Sequence, residues 1–210
     1  GLVSDAFTLA QAGYSKTSGG LALMHALRGD NSSLVNTAAA LNLGKLASVW
    51  WEQPQSVRDG INRFRADVFG PMARELTFEF GANDSSELRE LRETVITAAA
   101  SAGDTWTLDE IRRRFAPLQE HGDYSLIHPD LLRTVLSQAV KHGGEAEYET
   151  VMGVYRAPPT PAHKTSAMVA LGTTQDAALI QRTIEFVFSG QVKTQDFMYF
   201  FMSLSSNPRS

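Results

Sequence analysis

Apolar residues recur at three- and four-residue spacing along almost the whole chain, and strict period-two alternation never persists for a strand's length. The pattern predicts an all-α fold. A first short helix runs to Ala12, with the Ser4 hydroxyl as N-cap and Gly13 as a left-handed stop. A second extends from Thr17 or Ser18 to Leu27 and ends near Gly29. Ser32 or Ser33 opens a long third helix through Leu34, Ala38, Leu41, Leu43, Leu46 and Val49, closed by Trp50-Trp51 and Pro54. A fourth, from Ser56 to Arg74, places Val57, Ile61, Phe64, Val68 and Met72 on one stripe, with Gly70-Pro71 as the expected kink.

The second half continues in the same style. Asp84 or Ser85 caps a helix through Leu88, Leu91, Val95 and Ala98 that stops at Gly103. Thr107-Leu108-Asp109-Glu110 has the form of a capping box, the hydroxyl taking the third-position amide while Glu110 reaches back, and Ile111, Phe115 and Leu118 form the apolar side that follows. Pro129 at a first-turn position introduces Leu131, Leu132, Val135 and Ala139, and this helix ends at Gly143-Gly144. Shorter helices follow over 145–156, 160–171, 175–188 and 194–205. Roughly ten amphipathic helices on short polar turns suit a stack of antiparallel helix pairs, so the expected architecture is a HEAT-like α-solenoid forming one helical-repeat domain over 1–210. A compact multi-helix domain is the alternative.

Composition narrows the function classes. With 43% hydrophobic residues in 210, the chain has ample material for a core. A net charge of -4 provides no field that attracts nucleic acid or an anionic membrane. Cys 0 removes disulfides, thiol nucleophiles and thiolate metal sites, and fits a reducing compartment, with cytoplasm as the expected location. No apolar run approaches the roughly 20 residues needed to span a bilayer, and no basic segment precedes an apolar stretch at the start. The chain opens at Gly1-Leu2-Val3 without a methionine and closes directly behind an apolar helical segment, so it is expected to be a fragment, incomplete at its C-terminus.

Candidate chemistry is sparse. The histidines are His25, His121, His128, His142 and His163; none lies three or four residues from another, and there is no HExxH. His142, just before Gly143, is placed to meet the last carbonyls of its helix. No serine stands in GxSxG, no glycine-rich loop ends in GK[ST], and Ser18-Gly19-Gly20 reads as a turn. Glu145, Glu147 and Glu149 sit at a helix start, where carboxylates stabilise the amide-rich end. Arg112-Arg113-Arg114 steps around the helix by about 100° per residue, so at least one arginine must lie near the packed side in a structural ion pair. Phe186, Phe188, Phe197, Tyr199, Phe200 and Phe201 are expected to form core between two helices, part of it left open if a following helix is missing. No catalytic, cofactor-binding or metal residue is assigned.

Several segments, in order, resemble the C-terminal helical domain of M1-family zinc aminopeptidases, especially the puromycin-sensitive and fungal branch. They are Gly1-Leu2-Val3-Ser4-Asp5-Ala6-Phe7-Thr8-Leu9-Ala10-Gln11-Ala12-Gly13, then Thr107 to Phe115, then Asp130-Leu131-Leu132-Arg133 to Gly144 with Tyr148-Glu149. Ala170-Leu171-Gly172, Leu179-Ile180-Gln181-Arg182 and Val192-Lys193-Thr194-Gln195-Asp196 complete the series. Relatives often carry a tryptophan after the first helix pair, where this chain has Leu34-Val35-Asn36. The resemblance implies a HEAT-like array that walls the peptide cavity and contacts a catalytic domain. It also implies that the zinc motif, the segment recognising the substrate amino terminus and the catalytic tyrosine belong to upstream domains of the parent, since no position here matches them. The implied partners are that catalytic domain and a peptide substrate, with neither nucleic acid nor membrane among them. A stand-alone peptide- or protein-binding module, and a homo-oligomer formed through uncapped ends, are the competing expectations.

Overall fold

Eleven α-helices and one 3-10 turn account for the regular structure of residues 1–210 in this computed structural model. Two compact units divide at Leu108 and Asp109. The first holds α1 (Leu2–Gln11), α2 (Thr17–Ala26), α3 (Ser33–Val49), α4 (Gln55–Leu76), α5 (Ser86–Ser101) and the start of α6 (Thr105–His121). The second holds the rest of α6, the 3-10 turn Pro129–Leu131, α7 (Leu132–His142), α8 (Glu145–Arg156), α9 (Pro161–Leu171), α10 (Ala177–Phe188) and α11 (Thr194–Ser206).

Within each unit the packing follows a rule of alternate neighbours. In the first, α1 packs on α3 and α3 on α5, while α2 and α4 pack against these odd-numbered helices. In the second, α7 packs on α9 and α9 on α11, with α8 against α7 and α9. Side chains of α10 reach α8 through Tyr148 and Thr183, whose hydroxyls are 2.8 Å apart. Helices i and i+2 thus form one layer and the intervening helices the other, the packing expected of a helical-repeat array. The two-residue turn Gly143-Gly144 joins α7 directly to α8, and the two helices touch each other while both pack on α9.

The cores follow the predicted stripes except on α3, where Leu43 is buried but Leu34, Leu41 and Val49 are exposed. Leu43, Phe69, Ala73, Val95 and Ile96 are fully buried in the first unit; Val135, Leu136, Tyr148, Val151, Ala167, Leu171 and Phe200 in the second. Each larger side chain among them contributes about 1.5–3 kcal/mol relative to exposure. On α4, Ile61, Val68 and Met72 are buried as the stripe requires, Phe64 is half-buried and Val57 lies at the exposed edge. The helix runs on through Pro71 to Leu76.

Two helix starts differ from the sequence expectation. α1 begins at Leu2 with Gly1 as N-cap, so Ser4 lies inside its first turn and caps nothing. Its far end matches: Gly13 has φ 79°, its amide donates to Ala10, and the Tyr14 amide donates to Leu9, which satisfies two otherwise orphaned carbonyls. α6 begins at Thr105, and Asp104 is its cap. The Asp104 carboxylate accepts both the Thr107 amide (3.0 Å) and the Thr107 hydroxyl (2.7 Å), so Thr107 is a capped residue and Glu110 is released from any capping box to meet Arg113 and Arg114. Asp104 wins because it also binds Arg74 of α4 at 2.8 Å. Gly70 makes room for this: a Cβ there would lie 2.5 Å from the Asp104 carboxylate. Elsewhere Ser32 and Ser85 cap α3 and α5 as the sequence suggests.

The aromatic group near the end is only partly core. Phe200 is fully buried, edge-on to Tyr155 at 5.6 Å and to Phe186 at 6.2 Å, whereas Phe188, Tyr199 and Phe201 are exposed. Phe188 instead pairs edge-on with half-buried Phe197 at 5.3 Å. The reason is periodicity: Tyr199 and Phe201 flank Phe200 in sequence, and a helix turns them away from the side that Phe200 buries.

Candidate functional site

Most residues singled out from the sequence have a structural partner, and the histidines do not converge on one point. His25 and His121 are exposed on separate helices, His121 lying 3.6 Å from Glu120. His128 accepts the Asp130 amide through Nδ1 at 3.3 Å and so caps the 3-10 turn. His163 shares a 2.8 Å hydrogen bond with the Thr160 hydroxyl and stands edge-on to Tyr124, and desolvation there lowers its pKa. His142 closes α7; desolvation and then the Lys141 charge lower its pKa, which favours the neutral imidazole over a cation on the last carbonyls. No three His, Asp or Glu side chains come together as a metal-binding group, so the residues of this chain do not fit a zinc ion.

The charged motifs resolve the same way. Glu147 accepts the Gly144 amide at 2.7 Å, a bond that lowers its pKa and fixes the start of α8. Glu149 and Glu145 both meet Arg182 of α10, whose guanidinium stacks over the Tyr148 ring at 5.3 Å. Arg112 and Arg113 pair with Asp109 and Glu110 on the exposed face, while Arg114 is buried and donates to the Leu126 carbonyl at 2.9 Å. The run of three arginines is therefore one structural anchor and two surface pairs.

Two open clefts lie in the first unit, neither signalled by a motif. One, of about 420 Å³, is lined by Asn31, Met72, Glu75, Leu76, Ser85, Glu87, Leu88 and Leu91. The other, of about 320 Å³, lies between α1 and α3 and is lined by Phe7, Ala10, Gln11, Thr17, Asn42, Lys45, Leu46, Ser48, Val49 and Trp50. Its walls are legible in hindsight. Positions 42, 45, 46 and 49 recur at helical spacing, a second stripe beside the one that buries Ala39 and Leu43. A helix with two usable stripes can pack one and leave the other open.

Comparison with known proteins gives this arrangement a family. A model described as the ERAP1-like C-terminal domain matches residues 1–210. The chain is 29% identical over 198 residues to an alanine/arginine aminopeptidase of Saccharomyces cerevisiae, which covers 94% of this chain and 23% of that relative. It is 28% identical over 205 residues to aminopeptidase 2, mitochondrial, of the same yeast (93% and 20%) and 26% identical over 203 residues to aminopeptidase M1 of Arabidopsis thaliana (95% and 23%). The chain thus spans only 20% to 23% of the length of these relatives. Matched along its whole length, it belongs to the ERAP1-like C-terminal domain family, the helical C-terminal domain of M1-family aminopeptidases.

Proposed function

We propose that this chain is the non-catalytic helical domain of a zinc-dependent aminopeptidase, where it walls the peptide cavity and contacts the catalytic domain. The observation that carries this reading is the family match over residues 1–210, and the layered helix stack supports it. Such a stack offers broad faces rather than a focused constellation of reactive groups, which suits a wall and a support. The zinc and the groups that act on the scissile bond then belong to the rest of the parent, and a reducing compartment such as the cytoplasm suits a chain with Cys 0. The test is complementation. The remainder of the parent, expressed separately, is mixed with this chain and assayed on peptides of increasing length. Association with recovery of long-peptide trimming supports the proposal; no association, with trimming unchanged, overturns it.

A second reading, self-association, is favoured by the exposed apolar residues of α10 and α11: Phe188 at 73%, Phe201 at 58%, and Met198 and Met202 at 60%. Light scattering decides it. A species heavier than 23.0 kDa that dissociates on dilution supports this reading, and a monomer at all concentrations removes it.

A further inference from the structure

We infer that the cleft between α1 and α3 is a binding site for a small apolar carboxylate, of the alkyl- or aryl-acid type. Phe7, Leu46, Val49 and Trp50 give it apolar walls, and its volume of about 320 Å³ suits an alkyl chain or one substituted ring. Lys45 is the only charged residue on the lining, and its ammonium has no ion pair. A cationic group of this kind beside an apolar wall selects an amphipathic monoanion: the apolar body is drawn from water, and the carboxylate gains a charge-assisted hydrogen bond.

The start of α2 adds to the same polarity. Thr17 lies on the lining and is the first residue of that helix, whose N-cap, Lys16, supplies no side-chain acceptor. The positive pole of α2 therefore meets the cleft without an internal counter-charge. The opposing pole of α1 is already closed by the amides of Gly13 and Tyr14. Phe7 is held in place from behind by Gly20, whose missing Cβ would stand 3.2 Å from the ring.

The inference is independent of the aminopeptidase reading and is tested on this chain alone. Octanoate, octanol and octyltrimethylammonium, each below its micellar concentration, are titrated while the amide and indole resonances of Phe7, Lys45 and Trp50 are followed by NMR. Octanoate is expected to shift these resonances saturably and to bind more tightly than either the neutral or the cationic probe. Lys45→Gln, at an exposed position, is expected to weaken octanoate about tenfold and leave octanol unchanged, and Lys193→Gln to change neither. Equal affinity for octanoate and octanol, insensitivity to Lys45→Gln, or shifts centred on Phe188 and Phe201 would overturn the assignment.

Discussion

The ammonium of Lys164 on α9 donates a 2.5 Å hydrogen bond to the carboxylate of Asp196 in the first turn of α11, and that carboxylate is almost wholly buried. The Lys164 ammonium also faces the Tyr155 ring at 5.2 Å, so one cation joins α8, α9 and α11. Removing it leaves a buried carboxylate unpaired. Lys164→Met is expected to destabilise the chain by about 2 kcal/mol, less than for a fully buried pair because Lys164 itself is partly exposed. Urea unfolding measures this, and the double variant Lys164→Met with Asp196→Leu should recover much of the loss.

The same pair predicts an alkaline limit. The hydrogen bond to Asp196 raises the pKa of Lys164 above its ordinary 10.5. A raised lysine contributes stability that is fully present below pH 10.5 and is lost as pH rises through the native value. Thermal melts between pH 9 and pH 12 should therefore fall more steeply for the wild type than for Lys164→Met.

An acid limit follows from Asp84. The Gly81 amide and then Arg92 hold its carboxyl below the ordinary 3.8, so its contribution is present above pH 3.8 and is lost as pH falls through the native value. Arg92 is buried, donates to the Leu76 carbonyl at 3.0 Å and lies 4.6 Å from the centre of the Phe80 ring, so it organises the whole turn between α4 and α5. Asp84→Asn should flatten the acid end of the stability profile measured by circular dichroism.

Much of this architecture is legible in the sequence, and the exceptions have a common physical cause. The bounds of α8 read directly because Gly143-Gly144 and Pro158-Pro159 punctuate both sides. That at least one arginine in the run 112–114 is buried follows from helix geometry, and the structure makes it Arg114 and leaves the other two exposed. The start of α6 does not read directly, since Asp104 and Thr107 are both good caps three residues apart. What selects Asp104 is Arg74, a residue 30 positions away. The alternate-neighbour layering is likewise a property of packing, and so is the cleft between α1 and α3: the spacing of positions 42, 45, 46 and 49 offers a second stripe on α3 without saying what stands opposite it.

Close approach of α9 and α11 gives a steric prediction. A Cβ at Gly172 would stand 2.6 Å from the Ser203 hydroxyl oxygen and 3.0 Å from the Leu204 backbone nitrogen. Here Asn207 also donates to the Gly172 carbonyl, and Ser203 to Val169, so neither side can withdraw cheaply. Gly172→Ala should cost about 1–3 kcal/mol in chemical denaturation.

Arg65 points the other way. It is buried at 8% exposure, donates to the Asn62 side chain at 3.0 Å without a carboxylate partner, and desolvation lowers its pKa. Replacing a buried cation that lacks a counter-charge by an apolar residue of similar length removes a cost, so Arg65→Met is expected to leave the melting temperature unchanged or raise it.

This helical domain is expected to carry no peptidase chemistry of its own. The most direct test is hydrolysis of fluorogenic aminoacyl substrates by the purified chain, with and without added zinc. No turnover above the buffer rate is expected in either condition. Zinc-stimulated turnover that follows the chain through successive purification steps would contradict it.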